Sequence, residues 1–168
     1  MRCFVSIEIP DHVKADIFHA FEKLKDSGLA NGNFVEKENL HLTLKFLGDL
    51  TEEQIQQVEK KLAEIKLEQS QFAAETSEIG FFPDEEYIRV LWVGLSSENI
   101  LRLKGLVEKK LSECGFEKDE KEFASHITVA RIKSVKSKDL FFKKVKEIRI
   151  EKNFFTINNI SLIKSELT

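Results

Sequence analysis

"NLHLTLKFLG", residues 39–48, sets a histidine and a threonine two apart in a run that otherwise alternates like a half-buried strand. The phrase returns once, as "ASHITVARIK" at residues 124–133. Because side chains alternate across a strand, His41 and Thr43 share one face, with Leu42, Leu44 and Phe46 on the other. His126 and Thr128 likewise share a face, backed by Ile127 and Val129. The apolar faces must pack on helices, which leaves both His/Thr faces for something polar.

Outward from these phrases the chain duplicates itself. "CFVSIEI" (3–9) reads as a strand, followed by a helix carrying Val13, Ile17, Phe21 and Leu24, with Asp11 as its N-cap and Gly28 placed to end it. After the strand at 40–47, Thr51 and Gln54 form a capping-box signature ahead of Ile55, Val58, Leu62 and Ile65. A weaker strand, 71–82, closes this half. The order then repeats: strand 87–95, a helix through Ile100, Leu103, Val107 and Leu111 that stops near Gly115, strand 123–132, a shorter helix through Phe141, Val145 and Ile148, and strand 154–163. The motif histidines lie 85 positions apart, and "LKDSGL" and "LSECGF", which end equivalent helices, lie 87 apart. Two copies of a strand-helix-strand-helix-strand unit, about 1–84 and 85–168, are therefore expected to pack about an approximate two-fold axis in a single two-lobed domain. The expected class is α+β, with antiparallel sheets, one per lobe, lining a central cleft and helices on the outer faces.

Composition narrows the partners. A net charge of −3 with both signs mixed throughout excludes broad, non-specific nucleic-acid binding, so any phosphate site must be local. Cys3 and Cys114 are too few and too far apart for a disulfide framework or a zinc cluster, and read as buried reduced thiols. The opening "MRCFVSIEIPDH" resembles neither a signal peptide nor a membrane span, which points to a cytoplasmic protein without a membrane partner.

Pseudo-symmetry would bring both His/Thr faces to one groove. Two imidazoles opposed there suit a reaction in which one proton leaves a nucleophile while another reaches a leaving group, with no metal or cofactor. Two other readings stay open. The duplicated His-x-Thr could be structural, its side chains bonding backbone groups. A zinc site is the other, although two histidines without a Cys, Asp or Glu at matching positions make a poor ligand set. His12 and His19, in the first helix, read as solvent-facing.

"HLTLKFLG", "SHITVAR", their separation, "MRCFVSIEIP", "YIRVLWVGL" and "ISLIKSELT" together resemble the two-histidine phosphoesterase superfamily. More closely they resemble its RNA 2′,3′-cyclic phosphodiesterase branch, also called ThpR and formerly 2′-5′ RNA ligase. The resemblance implies a monomer that hydrolyses a 2′,3′-cyclic phosphate at an RNA end to a 2′-phosphomonoester. It casts His126 as the proton acceptor that activates water, His41 as the proton donor to the 3′ oxygen, and Thr43 and Thr128 as phosphate-binding hydroxyls. It also implies that Phe46 stacks on the terminal base and that Arg131 binds phosphate or nucleotide. Strict alternation, however, counts both onto the face away from the histidines, so only a twist or bulge would bring them into the cleft. Lys45 shares the parity of His41 and is a candidate to offset phosphate charge. Trp92 and Tyr87 are candidates for a stacking platform, although Trp92 reads first as a core residue. Relatives usually continue past "SELT" into another strand, whose absence would leave a sheet edge unpaired.

Hydrolysis is one of three functions compatible with these residues. An ATP-independent ligase would use an RNA 5′-hydroxyl in place of water, and a non-catalytic protein could simply bind the RNA end. The lack of a lysine-nucleotidyl or P-loop motif excludes nucleotide-driven ligation.

Overall fold

The computed structural model describes residues 1–68 and 71–165. Among these, eight strands, β1 (Arg2–Ile7), β2 (Ala30–Phe34), β3 (Leu42–Asp49), β4 (Phe72–Pro83), β5 (Ile88–Ser96), β6 (His126–Val135), β7 (Phe154–Ile157) and β8 (Ile160–Ser165), form two sheets. One has the order β3-β1-β8 and the other β2-β6-β5-β4-β7. Every pairing is antiparallel. The α+β class and its antiparallel sheets are as the sequence leads one to expect. Among the described residues, no helix is long and apolar enough to cross a membrane.

Five helices cover the apolar faces: α1 (Asp11–Ala20), α2 (Glu22–Asp26), α3 (Glu52–Glu68), α4 (Glu98–Ser112) and α5 (Lys138–Glu147). The expected capping box closes α3, since the Thr51 amide donates to Gln54 Oε1 (2.9 Å) and the Gln54 amide to Thr51 Oγ1 (3.2 Å). Gly28 and Gly115 sit at φ +68° and +89°, the left-handed geometry that ends a helix. The first helix departs from expectation. Asp11 lies inside it rather than capping it, the Pro10 carbonyl accepts from the Val13 and Lys14 amides, and the helix is interrupted at Phe21. Cys3 is buried, as read, but Cys114 is only half-buried.

The halves do not keep one sheet each. β4 crosses to pair with β5, and β8 crosses back to pair with β1. The run 154–163, read as one strand, divides: Phe155 opposes Ala74 in β4, whereas Ile160 opposes Ile7 in β1. Asn158 and Asn159 carry the chain between sheets, and Asn159 O accepts from the Glu8 amide at 3.2 Å. β2 is a further strand, placed by its pairing with β6, where a Cβ on Gly32 would lie 2.1 Å from Arg131 O.

Each central strand carries a bulge three residues after its histidine. In β3, Thr43 opposes Ser6 and Lys45 opposes Val5, so Leu44 is extra. In β6, Thr128 opposes Trp92 and Ala130 opposes Leu91, so Val129 is extra. An extra residue reverses the parity of everything beyond it. Lys45 is accordingly turned inward, 3% exposed, and is not the cleft cation its spacing implied. Its Nζ donates to Glu108 Oε1 (2.9 Å) and Oε2 (3.0 Å), to Glu117 O (2.8 Å) and to Asp119 Oδ1 (3.1 Å). Lys104 joins the cluster through Glu108 Oε1 (2.7 Å) and Asp119 Oδ2 (2.5 Å), and donates to the carbonyl of Leu44 at the bulge (2.7 Å). The cluster thus ties β3, α4 and the segment leading to β6 together. For Asp119, burial raises the carboxyl pKa, but the hydrogen bonds and charges of Lys104 and Lys45 outweigh it and hold the group below its ordinary value.

Removing Glu108 would leave two buried ammonium groups to share the single, more exposed carboxylate of Asp119. Glu108→Ala is expected to cost about 3–5 kcal/mol in denaturant unfolding. Removal of Glu64, which pairs with Lys61 at the surface, should cost about 1 kcal/mol or less. Equal, small losses for both would contradict the role given to the cluster.

Candidate active site

The first sheet presents two rows of cross-strand partners on the face away from its helices. Thr43, Ser6 and Ser161 form a row of hydroxyls, and Phe46, Phe4 and Ile163 form an apolar row beside it. The bulge at Leu44 is what brings Phe46 onto this face, where it is 68% exposed. In the second sheet the rows are Gly80, Trp92 and Thr128, then Phe82, Val90, Arg131 and Asn33. The bulge at Val129 does for Arg131 what Leu44 does for Phe46. Trp92 therefore belongs to the cleft rather than to the core, and its indole lies across Gly80, where a Cβ would approach the ring to 2.1 Å.

His41 and His126 are held alike. His41 follows a single 3-10 turn (Lys37–Asn39), and its Nδ1 lies 2.6 Å from Asn39 O. His126 opens β6, with Nδ1 2.8 Å from Ala124 O. A carbonyl can only accept, so each ring carries its proton on Nδ1 and leaves Nε2 available for proton transfer. Aromatic neighbours set the ring planes: Phe4 stacks on His41 at 4.9 Å, while Phe82 meets His126 edge-on at 4.9 Å and Trp92 lies 6.0 Å away.

Both imidazoles are half-buried and both pKa values are pushed below the ordinary value. For His41 burial is the main cause, opposed by the bond to Asn39 and reinforced by Arg131, Lys14 and His126. For His126 burial again leads, opposed by Ala124 and reinforced by Arg131. Arg131 thus acts on both rings, and His126 on His41, which places all three in one electrostatic site.

A cleft of about 1150 Å³ opens over the first sheet. Phe4, Ser6, His41 and Phe46 line it from that sheet and Arg131 from the other. Cations and acids are mixed around it, with Arg2, Lys14 and Lys164 beside Glu8, Asp11 and Glu38. Of the four His and Thr residues of the two motifs only His41 lines this cleft, beside Arg131, the Ser6 hydroxyl and an apolar shelf, with His126 near enough to act on His41 electrostatically. Sequence reasoning missed Phe4, Ser6 and Ser161. Phe4 carried a signal of parity, since it stands between the buried Cys3 and Val5 of β1, whereas Ser6 is itself 2% exposed and is brought to light, like Ser161, only by the strand pairing. His12 and His19 are exposed on α1, as read, and His19 Nδ1 lies 3.1 Å from Glu22 Oε1.

Known proteins are similar to this chain in sequence and fold. A protein of Methanocaldococcus jannaschii named RNA 2′,3′-cyclic phosphodiesterase is 37% identical over 100% of this chain and 93% of its own length. One of the same name from Aquifex aeolicus is 38% identical over 82% of this chain and 74% of its own. Among solved structures, a Thermus thermophilus protein superposes with a TM-score of 0.82 at 25% identity, covering 100% of this chain and 90% of its own. Escherichia coli LigT complexed with 3′-AMP shares the fold, with a TM-score of 0.75 at 21% identity over 99% and 89% of the two chains. The sequence profile of the LigT-like phosphoesterases fits twice, at residues 7–92 and 93–168, one fit for each histidine. With two matching repeats and relatives that align end to end, this chain belongs to the LigT-like phosphoesterase family.

Proposed function

We propose that this protein is a cytoplasmic, monomeric RNA 2′,3′-cyclic phosphodiesterase that uses its two histidines as an acid-base pair. The observation that carries the reading is the matched clamp on both rings, which leaves two Nε2 atoms in one electrostatic site. The names of the relatives supply the substrate class.

In this mechanism Nε2 of neutral His126 takes a proton from water as its oxygen attacks phosphorus. The bond from phosphorus to the ribose 3′ oxygen breaks, and protonated His41 delivers the proton that oxygen needs, leaving a 2′-phosphomonoester. Thr43 and Thr128 donate to the phosphoryl oxygens as charge builds in the transition state. Arg131 offsets that charge at the cost of lowering both imidazole pKa values. The row of Phe46, Phe4 and Ile163 receives the terminal base. No metal enters any step, so activity is expected to persist in EDTA.

His41→Ala and His126→Ala should each lower kcat by about 10²- to 10⁴-fold on an oligonucleotide with a 2′,3′-cyclic phosphate end. Product analysis should show a 2′-phosphate. A 2′-5′ linked product from an added 5′-hydroxyl strand would instead make the protein a ligase, and RNA-end binding without turnover a binding protein.

The pH dependence follows from the pKa directions. Turnover requires His126 neutral and His41 protonated, so kcat/KM should be bell-shaped, its limbs belonging to the pair. Because both values are lowered from 6.5, the maximum should lie on the acid side of 6.5. Arg131→Gln removes a cation that lowers both, so the whole bell should move to higher pH even where its height falls. A profile that rises monotonically, or one that Arg131→Gln leaves in place, would contradict the assignment.

A further inference from the structure

Beyond the catalytic rows, the cleft face of the second sheet continues to an aromatic and cationic pair. A third bulge produces it: Val90 opposes Phe82 and Ile88 opposes Pro83, so Arg89 is extra. Ile88 is turned into the core, while Arg89 is exposed beside Val90, the partner of Arg131. The Arg89 guanidinium carbon lies 4.3 Å from the centre of the Tyr87 ring. One guanidinium nitrogen donates to Lys133 O at 3.0 Å and the other to the Tyr87 hydroxyl. Tyr87 nevertheless remains 55% exposed. Its backbone is held from below, because Asp84 Oδ1 accepts from the amides of Glu86 and Tyr87, both at 2.9 Å. The result is a fixed, solvent-facing aromatic plane backed by a cation.

We propose that Tyr87 and Arg89 form a second nucleotide site, which stacks the base of the residue on the 5′ side of the reacting RNA terminus. The inference rests on the phosphodiesterase reading. Gly94, the strand partner of His126, and Val90 are four residues apart on β5. At strand rise this is about 13 Å, with the pair just beyond. The terminal nucleotide at the histidines therefore leaves the pair for its neighbour. Charge decides which part of that neighbour binds. Glu85 and Glu86 immediately precede Tyr87 in sequence, which disfavours a phosphate there, whereas the plane of a base stacks on tyrosine and guanidinium regardless of sequence. The site thus selects for strand length rather than for a particular base.

The test compares a pyrimidine nucleoside 2′,3′-cyclic phosphate with a short oligoribonucleotide ending in the same cyclic phosphate. Wild type is expected to favour the oligonucleotide in kcat/KM by about tenfold or more. Tyr87→Ala and Arg89→Ala should abolish that preference while leaving the mononucleotide rate unchanged, and Tyr87→Phe should keep it. An oligonucleotide abasic at the penultimate position should lose the preference on wild type. The inference is overturned if the preference survives Tyr87→Ala, if both substrates lose activity equally, or if the abasic strand is processed as well as the intact one. If wild type turns over neither substrate, the phosphodiesterase reading fails. The pair is then judged by fluorescence anisotropy with a 2′-phosphorylated oligonucleotide, where equal binding by wild type and Tyr87→Ala overturns it.

Discussion

Leu44 and Val129 each stand without a partner in the neighbouring strand, and the composition of the cleft depends on that. Without the extra residue, Phe46 and Arg131 would point into the core and Lys45 and Ala130 into the groove. With it, an aromatic ring and a guanidinium join the histidines, and a lysine is delivered to the interior. The bulge in β3 is held chemically, since Lys104 bonds the Leu44 carbonyl while Lys45, just beyond it, meets the carboxylates of Glu108 and Asp119. Burying Lys45, Lys104 and Glu108 is costly, and only their mutual satisfaction, completed by the more exposed Asp119, makes it tolerable. The same cluster reaches toward the strand that begins with His126, so the geometry of one half is tied to that of the other.

The environment of the histidines then sets their chemistry. Clamping Nδ1 on a backbone carbonyl removes the choice of tautomer, and aromatic contacts restrict rotation of the rings. Burial and Arg131 make both rings harder to protonate, which suits a base but opposes an acid. An anionic phosphate bound between them reverses the pressure by favouring the imidazolium. Under the proposed mechanism the substrate helps create the acid that its leaving group requires, and the two equivalent positions need no difference in sequence to take opposite roles.

Much of this was legible in the sequence, for identifiable reasons. The two H-x-T phrases, the capping box of Thr51 with Gln54, and the turning glycines Gly28 and Gly115 are local signals, and each holds in the fold. What failed was nonlocal. β2, "ANGNF", has no apolar alternation and exists because β6 offers it an edge. The crossing at Asn158 and Asn159 did leave a trace: buried residues fall at odd positions in Phe155 and Ile157 and at an even one in Ile160, a slip of phase that a single strand does not allow. The bulge in β3 left none, because Leu42, Leu44 and Phe46 keep the alternation it interrupts, whereas in β6 the buried residues pass from odd positions at Ile127 and Val129 to even ones at Ala130 and Ile132. Lys45 was misplaced for lack of such a slip in β3, and Phe46 and Arg131 were assigned to the cleft only by resemblance.

The central claim is that both rings are held through Nδ1–H and turn Nε2 toward a shared anion site. Nitrogen-15 NMR of the four histidine side chains, titrated with and without a nucleoside 2′-phosphate, tests it directly. The expected result is the Nδ1–H tautomer for His41 and His126, titration of both below 6.5, and an upward shift of at least one on adding the nucleotide. An Nε2–H tautomer in either motif ring, or two rings indifferent to the nucleotide, would contradict it.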